Sequence, residues 1–149
     1  MALFGGSLLV AAAYGQENTI AFTHFKNNKG LLITGTLLLT AFFIAGGYAH
    51  FKFASFVHTF IPAYIPFRHF WTYFCGVCLL AGGLGILIPP TRYLAALLSG
   101  IMVGGWFVLL HIPRFAANVN DAGERLGLCE SFTFCGIFLV LAGMFKNKQ

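Results

Sequence analysis

Acidic side chains are almost missing from this chain: four Asp and Glu among 149 residues, against nine Lys and Arg. Charged residues make up only 9% of it while 58% are hydrophobic, too little charge to coat a water-soluble domain of ordinary composition. The acids are also too few to line the interior of a proton- or cation-driven transporter. A P-loop, a glycine-rich dinucleotide fingerprint and a serine-nucleophile motif are absent, which excludes the commonest nucleotide-binding and acyl-transfer enzymes. No linker or low-complexity tract divides the chain, so one integral membrane domain is expected. The net charge of +5 is scattered over helix ends and loops without a basic patch, which excludes a nucleic-acid partner.

What is present is apolar sequence in four blocks, residues 31–50, 70–88, 93–112 and 126–145. Each is close to the roughly 20 helical residues that cross a hydrocarbon core of about 30 Å. The expected fold is all-α: an antiparallel four-helix membrane bundle over residues 31–145, with a short N-terminal segment (1–30) and a basic tail (146–149). Residues 3–14 are apolar, but as a helix they cover only about 18 Å. No basic residue precedes Lys26, so a signal peptide does not fit; a half-span, an interfacial helix or the end of a longer helix remain open. Lys26, Lys29, Arg92, Lys146 and Lys148 fall on one side, and Lys52, Arg68, Arg114 and Arg125 on the other. That slight bias favours a cytoplasmic C-terminus in a bacterial inner membrane.

Alternating span direction brings His50, His58, His69, His111, Arg68, Arg114, Asp121, Glu124, Cys129 and Glu130 to one end of the bundle, with Cys75 slightly deeper. Helices in lipid approach through small residues. At about 100° per residue, Ala96, Gly100, Gly104 and His111 share a face of the third span. Gly35, Gly46 and His50 do so on the first, and Trp71, Cys75, Cys78, Gly82 and Gly85 on the second. On the fourth, Cys129, Thr133, Gly136 and Gly143 form the expected inward stripe. The connection 51–69 contains Ile61-Pro62-Ala63-Tyr64-Ile65-Pro66, which disfavours a long helix. Its aromatic content suits the headgroup zone, as a lid over the His/Cys end or as an interfacial belt.

Several of these strings together resemble the DoxX-like family of small bacterial integral membrane proteins. They are Gly46-Gly47-Tyr48-Ala49-His50-Phe51, the Ile61–Pro66 string, Phe70-Trp71-Thr72-Tyr73-Phe74-Cys75-Gly76, Gly82-Gly83-Leu84-Gly85-Ile86-Leu87-Ile88-Pro89, Thr91-Arg92-Tyr93-Leu94-Ala95-Ala96 and Leu110-His111-Ile112-Pro113-Arg114. The resemblance covers about residues 31–143. It implies a four-helix bundle in redox company, since some DoxX-related proteins are membrane subunits of thiosulfate:quinone oxidoreductase. It transfers no catalytic motif, and fold-level analogy sets only a prior for function.

His50 and His111 are the sharpest pair of candidate cofactor contacts. Opposed neutral imidazoles can hydrogen-bond a quinone or hold a haem iron; a His at a span end can also simply bond nearby backbone. Quinone is favoured over haem, because bundle cytochromes usually hold their ligands deeper. Arg114, next to Pro113, is the third candidate contact, or else the ion-pair partner of Asp121, Glu124 or Glu130. Cys75, Cys78 and Cys129 are thiol candidates, although a Cys inside an apolar span more often behaves as a small hydrophobe. No ligand spacing marks a metal site. The leading functional expectation is an accessory membrane subunit of a larger redox or energy-converting complex, surrounded by lipid and other membrane subunits. The alternatives are a quinone-linked oxidoreductase subunit acting on sulfur or thiol donors, and an isoprenoid- or lipid-binding membrane protein.

Overall fold

The structure, a computed structural model, describes residues 29–146. The N-terminal segment 1–28, with the apolar stretch 3–14, and the tail residues 147–149 lie outside the described residues. The chain runs through α1 (Lys29–Lys52), a short α2 (Ala54–Phe60), α3 (Arg68–Leu87), a 3-10 turn (Pro89–Thr91), α4 (Arg92–Trp106), a π-helical turn (Phe107–His111), α5 (Ile112–Ala117) and α6 (Ala122–Lys146). Four helical stretches among the described residues are long and apolar enough to cross a membrane: Ile33–Lys52, Arg68–Leu87, Pro89–Ala117 and Ala122–Lys146. They pack antiparallel, α1 on α3, α3 on α4 and α4 on α6. The large hydrophobics left exposed along them, such as Leu37, Val77, Leu98 and Leu139, match a lipid-facing surface.

Close approach carries the α1–α3 contact. A Cβ placed on Gly47 would lie 2.9 Å from the Gly76 carbonyl oxygen, and one on Gly76 would lie 2.9 Å from His50 Cβ. Only glycine permits two backbones to meet so closely. The Thr40 hydroxyl donates to the Gly83 carbonyl 3.2 Å away, a bond favoured where water is absent. Between α3 and α4 the chain turns tightly. Arg92 Nε donates to the Ile86 carbonyl (2.9 Å) and the Thr91 hydroxyl to that of Gly85 (2.8 Å), satisfying acceptors at the helix end.

The inner face of α6 differs from the sequence expectation. Cys129, Thr133, Gly136 and Gly143 are all exposed, and an added Cβ on Gly136 or Gly143 would meet nothing within 4 Å. The buried stripe is Ser131, Phe134, Ile137, Phe138, Leu141 and Ala142. The reason is the distance α6 must bridge to α1. Phe42 stacks on Phe134 (ring centroids 5.1 Å) and Phe43 leans on Phe138 (4.6 Å), so rings rather than glycines fill that gap. Phe43, Phe134 and Phe138 join Leu39, Ile86 and Ala96 in the core, while Phe42 stacks on it from the exposed side. Most of that core lies in the half of the bundle away from His50 and His111, and the other half is hollow.

Candidate functional site

A cavity of about 650 Å³ occupies the hollow half, within the range of small-molecule sites. His50 from α1, Trp71, Thr72 and Cys75 from α3, Met102 and Trp106 from α4, His111 from the π-turn, Arg114 from α5 and Glu124, Gly127 and Ser131 from α6 line it. Val57, Phe60 and Ile61 of the α2 segment also border it, so the connection between the first two spans covers this end. Phe60, Asp121 and Gly123 are its exposed lining residues and mark the mouth. The polar groups gather toward that mouth, while Leu79, Met102 and Val103 make the deeper part apolar.

The two histidines present different faces to this space. His50 Nδ1 lies 2.8 Å from the Gly46 carbonyl oxygen. A carbonyl can only accept, so Nδ1 carries the proton, and the neutral ring keeps Nε2 as an acceptor. The His111 ring has no hydrogen-bond partner among the described residues. Its Nδ1–Cε1 edge rests on Gly127, where an added Cβ would come within 3.0 Å of Nδ1. Gly127 therefore lets α6 approach the imidazole.

Pro113 shapes the backbone that carries His111. It has no N–H for the Leu109 carbonyl four residues earlier, and its ring crowds that carbonyl in a regular α-helix. A proline at such a position ordinarily ends or kinks a helix. Instead, a π-turn widens the chain just before Pro113, with Ile112 N–H reaching back to the Phe107 carbonyl, and helix continues to Ala117. The Tyr64 hydroxyl donates to the Leu109 carbonyl, pinning the proline-rich connection to the π-turn. In an α-helix five residues turn the chain by a net of about 140°; a π-turn reduces that angle, so Trp106 and His111 face the same cavity.

Arg114 forms the wall at the mouth. Its Nε donates to Glu124 Oε2 at 2.9 Å, its Nη2 to Glu124 Oε1 and its Nη1 to the Phe60 carbonyl at 3.0 Å. The guanidinium also lies over the Phe60 ring, 4.8 Å from the centroid. Of the three acids that the sequence left open, Glu124 is the partner, and it takes both sides of the guanidinium fork.

The thiols are dispersed. Cys75 is buried and its Sγ accepts the Trp106 indole N–H at 2.9 Å. Cys78, less than one turn along α3 from Cys75, is half-buried and borders the space between α3 and α4; Cys129 is exposed, and Cys135 sits under Gly104. All four are free. Among the described residues no group of three His, Cys, Asp or Glu is placed to hold a metal ion. His58 and His69 stack on each other, with ring centroids 4.2 Å apart, and join α2 to the start of α3 outside the cavity lining.

Trp106, Tyr64 and Gly127 were missed by sequence reasoning. Only Tyr64 had a signal available: a tyrosine between two prolines, beside a helix whose proline leaves a carbonyl unpaired.

A family model described as "Domain of unknown function (DUF8561)" matches residues 39–125, more than half of the chain, and the chain belongs to that family. No curated protein and no solved structure matches it.

Proposed function

We propose that this member of the DUF8561 family is an integral-membrane binding protein for a hydroxyl-headed, single-tailed amphiphile, a quinol or an isoprenoid alcohol. The observation that carries this reading is the polar-ended, apolar-bodied cavity, in which His50 offers an acceptor nitrogen. An acceptor of that kind suits a ligand O–H better than a quinone carbonyl, which needs a donor. His111, with no hydrogen-bond partner among the described residues, is the second head contact. Arg114, whose guanidinium is engaged by Glu124 and the Phe60 carbonyl, acts in this reading as a positioning residue. Phe60, Trp71 and Trp106 supply flat surfaces for a ring. The resemblance to DoxX-like proteins supports a redox setting, in which quinol is the favoured ligand.

The test is extraction of the protein from its native membrane in mild detergent, with mass spectrometry of the bound lipid and a visible spectrum. A stoichiometric quinol or prenol that is lost in His50→Leu supports the reading. Stoichiometric phospholipid alone, or a haem absorption band, refutes it.

A second reading, an accessory subunit of a larger redox or energy-converting complex, has its own support. The outward α6 face exposes Cys129, Thr133, Gly136 and Gly143, and small residues of this kind let a neighbouring helix approach. Fixed-stoichiometry copurification with other membrane subunits tests it. In either reading the weak charge bias favours a cytoplasmic C-terminus in a bacterial inner membrane, with the cavity mouth on the opposite side.

A further inference from the structure

A second concavity, of about 750 Å³, lies between α3 and α4. It is a groove open to lipid, since its sides include Phe74, Leu84, Leu94, Leu98 and Ile101, all of them about half exposed. The lining runs from Ile65 and Leu109 at the histidine end to Ile88 and Thr91 at the other. Thr91 to Leu109 covers roughly 25 Å of helix. Small residues, among them Gly82, Gly85 and Gly105, make its floor. The Thr91 hydroxyl is turned back to the Gly85 carbonyl, so it is spent within the chain.

The groove and the histidine cavity share three lining residues: Trp71, Met102 and Trp106. The two indoles meet edge to face, with centroids 5.9 Å apart. Trp106 is held from behind by its N–H bond to Cys75. A thin aromatic partition thus separates a polar-ended chamber from an apolar channel that faces the bilayer.

We infer that this partition is a lateral portal: the amphiphile's head enters the histidine cavity from the membrane between Trp71 and Trp106, and its hydrocarbon tail lies in the α3–α4 groove. The inference rests on the amphiphile-binding reading and adds the tail site and the route of entry. Continuity is what commits the groove to a tail. It starts at the wall of the head site, extends along the lipid-facing side of the bundle, and meets its occupant with carbon along nearly all its length. Met102, unbranched and adaptable, is the side chain best suited to yield as the tail passes.

Gly105 makes the groove testable without unfolding the protein. It lines the groove, and an added Cβ meets nothing within 4 Å, so a larger side chain takes tail space and not packing space. Trp71 and Trp106 are the only tryptophans of the chain, so intrinsic fluorescence reads the partition directly. Purified full-length protein in phosphatidylcholine nanodiscs is titrated anaerobically with two probes: a tailless dimethoxy-methyl-benzoquinol, and the same head carrying a decyl tail. Gly105→Leu is expected to weaken the decyl probe about tenfold or more and to leave the tailless probe within about twofold. Gly105→Ala leaves both near wild type. Farnesol, run in parallel, distinguishes a prenol from a quinol head and is expected to show the same Gly105→Leu loss if it binds.

Unchanged decyl-probe affinity in Gly105→Leu overturns the groove assignment while leaving the head site standing. A wild-type protein that binds neither head overturns the amphiphile-binding reading, and this inference with it. A dimer that dissociates in Gly105→Leu assigns the groove to a second copy of the chain and also overturns the tail site.

Discussion

Neutralising Glu124 as Glu124→Gln removes the charge that engages both sides of the Arg114 fork, and the size of the effect follows from the contacts. The pair has side-chain exposures of 25% and 14%, so solvent screens it only partly. Breaking a buried pair costs about 3–5 kcal/mol, and a charge-assisted hydrogen bond is worth about 1.5–3 kcal/mol. Glutamine keeps one acceptor but turns an N–H₂ toward a guanidinium that already has donors to spare. With the remaining exposure, the expected loss is about 2 kcal/mol, or about 4–8 °C by the scaling of soluble domains of this size. Arg114→Lys should be less severe, because it keeps the charge and loses the fork.

The assay is thermal unfolding in dodecyl maltoside, followed by emission from the two tryptophans. The decisive version is a double-mutant cycle with Arg114→Met and Glu124→Leu. Removing both partners leaves no orphaned charge, so the double variant should be more stable than the sum of the singles by about 2 kcal/mol. A coupling below about 0.5 kcal/mol would show that the ion pair does not join α5 to α6, and the mouth of the cavity would need another explanation.

Four further substitutions examine other parts of the structure. Gly100→Leu drives a side chain into Leu139 Cδ2 and Phe138 Cβ, 3.1 and 3.3 Å from the added Cβ position; overpacking should cost about 1–3 kcal/mol, and wild-type expression and melting would refute a buried α4–α6 contact. Gly127→Ala should displace the His111 ring, weakening the tailless quinol about fivefold or more with melting little changed; unaltered binding would remove His111 from the head site. Cys75→Ala deprives the Trp106 N–H of its acceptor and should lower stability by about 1 kcal/mol, whereas Cys78→Ala should be near neutral. Loss of function in Cys78→Ala at normal expression would establish a thiol role that these positions do not suggest.

The legible part of this fold was the part written in length and hydropathy. Four apolar blocks of spanning length leave few arrangements besides an antiparallel bundle, and alternation then brings His50, His111, Arg114 and Glu124 to one end. The glycine signal was legible on three spans and misleading on the fourth. A glycine marks close approach only where a neighbour arrives; Gly76 has one, Gly136 and Gly143 do not. Which acid would pair with Arg114 was not legible: Asp121 just precedes α6 and accepts the Glu124 N–H, while Glu124 and Glu130 lie on α6 at different heights and phases relative to a guanidinium on another helix. The Trp106–Cys75 bond joins positions 31 residues apart, and nothing local marks either as a partner.

Pro113 connects these observations. A proline near the end of a span is readable in sequence as a break, yet the break produced is one that positions side chains. By crowding Leu109 it favours a wide turn, and the wide turn aligns His111 with Trp106 on the cavity side of α4. By leaving the Leu109 carbonyl without its N–H, it creates the acceptor that Tyr64 takes, which ties the covering connection across the cavity end. Arg114, the next residue, then reaches Phe60 at the end of α2 and Glu124 at the start of α6. The placement of His111, the cover and the wall thus descend from one backbone defect, and the bundle is hollow at the end where that defect lies.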